Sequence, residues 1–315
     1  MRNAFADEVA KLCRADSRLM LLSGDIGNKL FDPFRQHAPD RFLNCGVAEA
    51  NMIGVAAGLA LNGLRPIVYT IAPFTTTRCF EQIRVDLCYH KAPVIIVGTG
   101  SGLSYAELGP THHSLEDIAI MRTLPGMQVF APADGNELRS CLRYALNGDH
   151  PTYIRIGKKG EKAIFEERYD QFRAGNWPVL QYGDRVAVIS TGVMSHGSFQ
   201  IVKQMEKTVG TVEMVHASSI KPLDESYLTS LDGRISTVIS VEEHGLIGGL
   251  GAALAEWRSD VDALWRLRRI AARDEFMHVT GTTEYARSFY AIDGTRLSDE
   301  IQAGFAASRS GLRAA

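Results

Sequence analysis

The sequence predicts an α/β protein of two domains, each a mostly parallel sheet covered by helices. Short, wholly apolar stretches alternate with stretches of helical periodicity, a pattern typical of strands buried on both faces. A charged, turn-prone segment at 157–175 interrupts this alternation, which then starts again. The length of 315 residues is sufficient for two cores of ordinary size. We therefore predict one domain over 1–172 and a second over 173–315.

The first half begins with an amphipathic helix at 3–14, in which Phe5, Val9 and Leu12 recur at helical spacing. An apolar strand at 18–23 ends in a glycine-containing loop, and a helix rich in small residues follows Gly46. The remaining predicted elements are strands at 66–71, 92–98, 127–130 and 152–155 and helices at about 78–90 and 135–146. Because ligands of parallel sheets bind beyond the carboxyl ends of the strands, we expect the functional site at that edge.

The second half repeats the pattern on a smaller scale. Its predicted elements are strands at 186–190, 211–215, 237–241 and 269–271, a helix after Gly192, a helix that ends near Trp257 and a terminal helix from about Ser298.

Composition excludes several classes of function. The net charge of −2 provides no concentrated positive field for nucleic acid or an anionic membrane, and no apolar run is long enough to span a bilayer. The five cysteines are dispersed, which favours reduced thiols and a cytoplasmic location over disulfides. The glycine-rich loops at 98–103 and 245–251 both miss the spacing of a dinucleotide-binding fingerprint.

The helix after Gly46 has one carboxylate, Glu49, in its first turn and mostly small side chains over 48–60. Small side chains let another backbone approach closely, so this helix is suited to a buried interface. A carboxylate at the mouth of such an apolar seam suits proton handling, because a shared proton is worth more in a dry site than in water. The alternative is that Glu49 only complements the positive end of its helix.

Five segments carry a resemblance to a known family. The run from Gly46 to Met52, with its small-residue helix, resembles the pyrimidine-binding domain of transketolases. The other four resemble further motifs of the family and follow in the family's order: GPTHHSLED at 109–117, LPGMQV at 124–129, PADGNE at 132–137 and EEHGLIGGLG at 242–251. The resemblance covers nearly the whole chain and implies a pyrimidine-binding domain followed by a transketolase C-terminal domain.

The chain has no Gly-Asp-Gly sequence, whereas full-length transketolases bind Mg²⁺ and thiamine diphosphate through a GDG…N motif in an additional domain. The chain thus resembles the second, or B, chain of a split transketolase. The resemblance implies that a separate diphosphate-binding partner, the A chain of such an enzyme, holds the metal and the diphosphate. It further implies a homodimer core within a heterotetramer and transfer of a two-carbon ketol unit between sugars.

The resemblance also assigns cofactor-binding residues. Glu49 matches the catalytic glutamate that hydrogen-bonds N1′ of the aminopyrimidine. Phe74, and less favourably Phe80, would supply the stacking floor, and Asp25 lies in the loop after the first strand. Ordinary core packing is the alternative for both phenylalanines.

The substrate-binding candidates lie in other loops. His112 resembles the histidine that follows the family's GPT and hydrogen-bonds a substrate oxygen during catalysis, whereas we expect a structural role for His113. Arg2, Lys158 and Lys29 fall where the family binds substrate phosphate, with a solvated surface as the alternative.

Two departures from the family pattern concern the donor sugar. Leu108 replaces the aspartate that commonly precedes GPTH, and Gly100 stands where a second substrate histidine is usual. Both changes remove polar contacts to the sugar, which predicts a modified, deoxy or branched donor. Two alternatives for the function are the β subunit of a 2-oxoacid dehydrogenase first component and a non-catalytic interaction subunit.

Overall fold

A computed structural model describes residues 1–311, apart from the side chains of Asn28 and of residues 308–311. Within that range the chain forms two sheets. The strands are β1 (Leu19–Ser23), β2 (Phe42–Asn44), β3 (Arg65–Ile71), β4 (Ile95–Thr99), β5 (Gln128–Phe130), β6 (Thr152–Ile156), β7 (Val179–Gln181), β8 (Arg185–Ser190), β9 (Glu213–His216), β10 (Ser219–Lys221), β11 (Ile235–Gly245) and β12 (Arg266–Ala272). The first sheet has the order β10-β5-β6-β4-β3-β1-β2 and the second β12-β11-β8-β9-β7. The predicted fold class, two mostly parallel sheets covered by helices, is confirmed.

Helices cover both sheets. They are α1 (Arg2–Ala15), α2 (Asp32–His37), α3 (Glu49–Leu61), α4 (Ala72–Thr75), α5 (Phe80–Gln82), α6 (Asp117–Arg122), α7 (Gly135–Asn147), α8 (Met194–Val209), α9 (Glu225–Ser230), α10 (Leu250–Asp260), α11 (Thr283–Phe289) and α12 (Gly294–Gly311). None of the helices in the described part of the chain is long and apolar enough to cross a membrane.

The two halves are less separate than the sequence suggests. β10, from the second half, pairs antiparallel with β5 at the edge of the first sheet. Three residues are too few to show a period in the sequence, so this strand was not predicted. One hydrophobic core also crosses the boundary, since it contains Met52 and Val68 of the first half and Ile189 and Trp265 of the second.

The predicted helix at 78–90 has a different course. The chain turns through α4, a 3₁₀ turn at Thr77–Cys79, α5 and a π-helical segment at Ile83–Tyr89. Local departures from α-helical geometry often mark functional segments. Here the first two turns lie just beyond the carboxyl end of β3.

Candidate active site at the carboxyl edge of the first sheet

Most of the candidate residues follow the ends of parallel strands. Asp25 follows β1, Glu49 follows β2, Phe74 follows β3, His112 lies in the long segment after β4, and Lys158 follows β6. Because these strands are parallel neighbours, their carboxyl ends lie at the same edge of the sheet. The structure therefore places these candidates at the edge where the sequence predicts a site.

Glu49 is the first residue of α3 and is only 7% exposed. Its Oε1 accepts a hydrogen bond from Nη1 of Arg78 at 3.3 Å. α3 has no side-chain cap from Ala48, so the carboxylate lies at a helix end where negative charge is favourable. The helix end and Arg78 together hold a charged group at the edge of an apolar core.

Arg78 connects Glu49 to an aromatic ring. Its guanidinium carbon lies 3.8 Å from the centroid of the Phe74 ring, in cation–π geometry. Phe74 is in α4 and Arg78 in the following 3₁₀ turn, four residues along the chain. One planar cation therefore stacks on a ring and hydrogen-bonds a buried carboxylate.

His112 packs edge-on against two aromatic rings of this cluster. Its ring centroid lies 5.3 Å from that of Phe74 and 6.1 Å from that of Tyr105, and its Nδ1 is 2.9 Å from Oγ1 of Thr111. Partial burial, followed by repulsion from Arg78, lowers the pKa of His112 below its ordinary value. The ring is therefore neutral near pH 7.

Tyr105 takes the place of a side chain at position 100. Gly100 has a left-handed backbone (φ +72°), and the Tyr105 ring occupies the space that a Cβ there would fill. Nζ of Lys158 lies 4.3 Å from the centroid of the same ring and forms an ion pair with Glu107. These contacts extend the cluster from the buried carboxylate to a lysine near the domain boundary.

The second half of the chain holds the loop that carries Tyr105 and His112. Oε1 of Glu243, which is 1% exposed, accepts a hydrogen bond from the Leu103 amide at 2.9 Å, and its other oxygen is ion-paired with Arg287. At the preceding residue, Gly102 (φ +62°), an added Cβ would collide with the Glu243 side chain. A carboxylate of the second half therefore fixes the backbone of a first-half loop.

The remaining candidates lie elsewhere on this edge or near it. Asp25 accepts a hydrogen bond from Nδ2 of Asn44 at 2.9 Å, and Lys29 is exposed in a 3₁₀ turn. Arg2 is half-buried at the start of α1. Phe80 packs against the shared hydrophobic core, which favours the core-packing alternative for this residue. The roles of all four stay predictions.

The structure thus brings together Glu49, Phe74, His112 and Lys158. Sequence reasoning missed the two residues that connect them, Arg78 and Tyr105. The four-residue spacing from Phe74 to Arg78 was a usable signal, but the predicted helix began too late to place both on one turn. We find no group of three or more metal-ligating acidic, His or Cys side chains within residues 1–311.

Comparison with known proteins identifies the family. The model of the transketolase pyrimidine-binding domain matches residues 1–160, and that of the transketolase C-terminal domain matches residues 175–290. The chain belongs to the transketolase family. The resemblance that the sequence motifs indicate is thereby confirmed.

Subunits of transketolases and a split gene transketolase are among the similar proteins. The B subunit of the apulose-4-phosphate transketolase of Actinobacillus succinogenes is 37% identical over 268 residues, which are 85% of this chain and 86% of that protein. The SqwH subunit of the 6-deoxy-6-sulfo-D-fructose transketolase of Clostridium sp. strain MSTE9 is 32% identical over 93% of this chain and 90% of its own. A solved structure described as a split gene transketolase, inactive β4 tetramer, is 31% identical with a TM-score of 0.89, covering 97% of this chain and 98% of that one.

Proposed function

We propose that this chain is the B subunit of a split, thiamine-diphosphate-dependent transketolase. Together with a separate diphosphate-binding chain, which carries the GDG…N motif and holds Mg²⁺ and the diphosphate, it transfers a two-carbon ketol unit from a ketose or ketose phosphate to an aldose. Two-chain transketolases among its relatives support this proposal. Under this proposal, residues 1–172 form the pyrimidine-binding domain, residues 173–315 form the C-terminal domain, and the enzyme is cytoplasmic.

The observation that carries the proposal is the group formed by Glu49, Arg78 and Phe74. The aminopyrimidine of thiamine diphosphate is a flat ring with N–H groups, and it requires an aromatic floor and a carboxylate partner. The guanidinium of Arg78 is also flat and rich in N–H groups, and it stacks on Phe74 while donating to Glu49. The residues present therefore fit the pyrimidine end of the cofactor, provided that Arg78 moves aside.

When bound, thiamine diphosphate supplies a carbon nucleophile once its thiazolium ring has lost a proton. Glu49 would hold the aminopyrimidine by a hydrogen bond at N1′ and share a proton there. Phe74 would fix the plane of that ring. The burial of Glu49 excludes water from its carboxylate, which strengthens the shared hydrogen bond.

His112 would act on the sugar. If Nδ1 of the neutral imidazole accepts a hydrogen bond from the Thr111 hydroxyl, the ring carries its proton on Nε2. We assign this tautomer because it presents an N–H to a substrate oxygen as negative charge develops on that atom. The lowered pKa of His112 keeps the ring neutral at pH 7.

We infer that the donor is a modified, deoxy or branched sugar. Leu108, which is 49% exposed, offers no polar contact where an aspartate is common, and Tyr105 fills the space beside Gly100. Two relatives are named for apulose 4-phosphate and for 6-deoxy-6-sulfo-D-fructose, which supports such a donor.

The proposed assembly is a heterotetramer built on a homodimer of this chain. Close approach is possible along α3, since a Cβ added at Gly58 would meet only open space. Val47 next to the helix and Leu61 at its end are 79% and 59% exposed. The split gene transketolase described as an inactive β4 tetramer supports self-association of such chains.

The test is to purify this chain with its diphosphate-binding partner and to measure thiamine-diphosphate-dependent ketol transfer. Glu49→Gln removes the proton-sharing group, so we expect a loss of at least about 100-fold in kcat. Glu81→Gln is the matched control, because Glu81 is exposed and pairs with the neighbouring Arg84. Full activity of the Glu49→Gln complex would support the non-catalytic alternative. Decarboxylation of a 2-oxoacid without ketol transfer would support the dehydrogenase alternative.

A further inference from the structure

Lys158, a candidate for binding an anionic sugar, is already occupied within the chain. Its ammonium group forms an ion pair with Glu107 and lies over the Tyr105 ring. The Lys158 side chain is 22% exposed and that of Glu107 is 51% exposed. The Glu107 carboxylate can therefore turn into solvent, whereas the less exposed Lys158 ammonium lies over the Tyr105 ring.

The pair lies on the wall of a large cavity between the two halves of the chain. This cavity has a volume of about 1070 Å³. It is lined by Ser104, Glu107 and residues 158–162, which include Lys159 and Lys162, and by the first turns of α8 and α11 from the second half. Tyr105 contacts both Lys158 and His112. Because Lys158 and His112 contact this one buried ring, a sugar that reaches His112 can place its far end near the Glu107–Lys158 pair.

We propose that Glu107 is a specificity-determining residue that restrains the binding of anionic sugars by competing for Lys158. A sugar with a terminal phosphate must either displace the Glu107 carboxylate from the ammonium or bind against its negative charge. A neutral sugar end leaves the pair intact and avoids this cost. The identity of the substrate, a sugar phosphate, rests on the proposed function. The competition between Glu107 and another anion for Lys158 does not.

Binding of inorganic phosphate to the full-length chain tests the competition without any catalysis. Glu107→Gln removes the competing charge, and we expect phosphate to bind about two- to fivefold more tightly, as the strength of a half-exposed ion pair predicts. The double variant Glu107→Gln/Lys158→Gln should lose this gain. Glu284→Gln is the matched control, because it removes an exposed carboxylate from the wall of the same cavity. Equal phosphate affinity in the wild-type and Glu107→Gln chains would overturn the proposal.

The assembled complex provides the second measurement. For a ketose phosphate, Glu107→Gln should lower KM about two- to fivefold and leave kcat unchanged, because the ion pair is broken on binding and not during the reaction. For the unphosphorylated ketose, neither constant should change. A change of the same size for both sugars would refute a role in selecting the anionic group. If the phosphate titration succeeds while the wild-type complex transfers no ketol unit, the competition stands and the proposed function fails.

Discussion

Arg78 occupies the surface that the aminopyrimidine of thiamine diphosphate would use, so it should compete with the cofactor. Its side chain is 49% exposed, and a cation–π contact at such a site is worth about 0.5–1 kcal/mol. The hydrogen-bonded ion pair with Glu49 adds up to about 1 kcal/mol. Cofactor binding would have to break both contacts, at a total cost of about 0.5–2 kcal/mol. Arg78→Met should therefore tighten binding by about two- to thirtyfold.

The assay is calorimetric titration of thiamine diphosphate into the assembled complex in the presence of Mg²⁺. Arg84→Met is the matched control, because Arg84 is an exposed arginine a few residues along the chain whose partner is Glu81. Its dissociation constant should match that of the wild type. If Arg78→Met binds the cofactor with unchanged or lower affinity, then Arg78 does not occupy the pyrimidine site, and the fit argued from Phe74 and Glu49 is wrong.

Two further predictions concern His112 and the buried ion pair of Asp117 with Arg155. Because partial burial lowers the pKa of His112, the neutral ring should persist as pH falls, and the acid limb of kcat/KM should lie below the ordinary histidine value of about 6.5. His112→Asn should abolish that limb, and an unchanged limb in this variant would exclude His112 as its origin. Asp117→Asn should destabilise the chain by about 3–5 kcal/mol in urea unfolding, because it leaves the buried Arg155, whose Nε is 2.9 Å from Asp117, without its counter-charge. Glu81→Gln should stay within about 0.5 kcal/mol of wild type, and a loss below about 1 kcal/mol for Asp117→Asn would contradict this reasoning.

The parallel strands could be predicted because burial on both faces leaves a continuous apolar run. β3 and β8 are such runs, and both begin one residue before the predicted start and end at the predicted residue. The antiparallel edge strands β7 and β10 have three residues each, and each pairs with a strand from a distant part of the chain. A local sequence pattern cannot show which distant strand such a short strand will pair with.

Some residues of the candidate site could likewise be predicted from the sequence, and others could not. Glu49 and His112 stand in motifs, so their positions could be read from the sequence. Tyr105 could not, because its role depends on the left-handed turn at Gly100 and on the arrival of Lys158 from another strand. Long-range packing of this kind leaves no spacing in the sequence.

The loop after β4 shows what the second half of the chain contributes to a site on the first sheet: it orders a loop of that site. A glycine-rich loop has many accessible conformations, and ordering it costs conformational entropy. The buried Glu243 offsets part of that cost by accepting the Leu103 amide, and Arg287 holds the carboxylate in place. Both anchors are residues of the second half, whereas the loop that they hold belongs to the first. The second half therefore helps to order the loop that carries His112, even though none of the candidate cofactor residues lies in the second half.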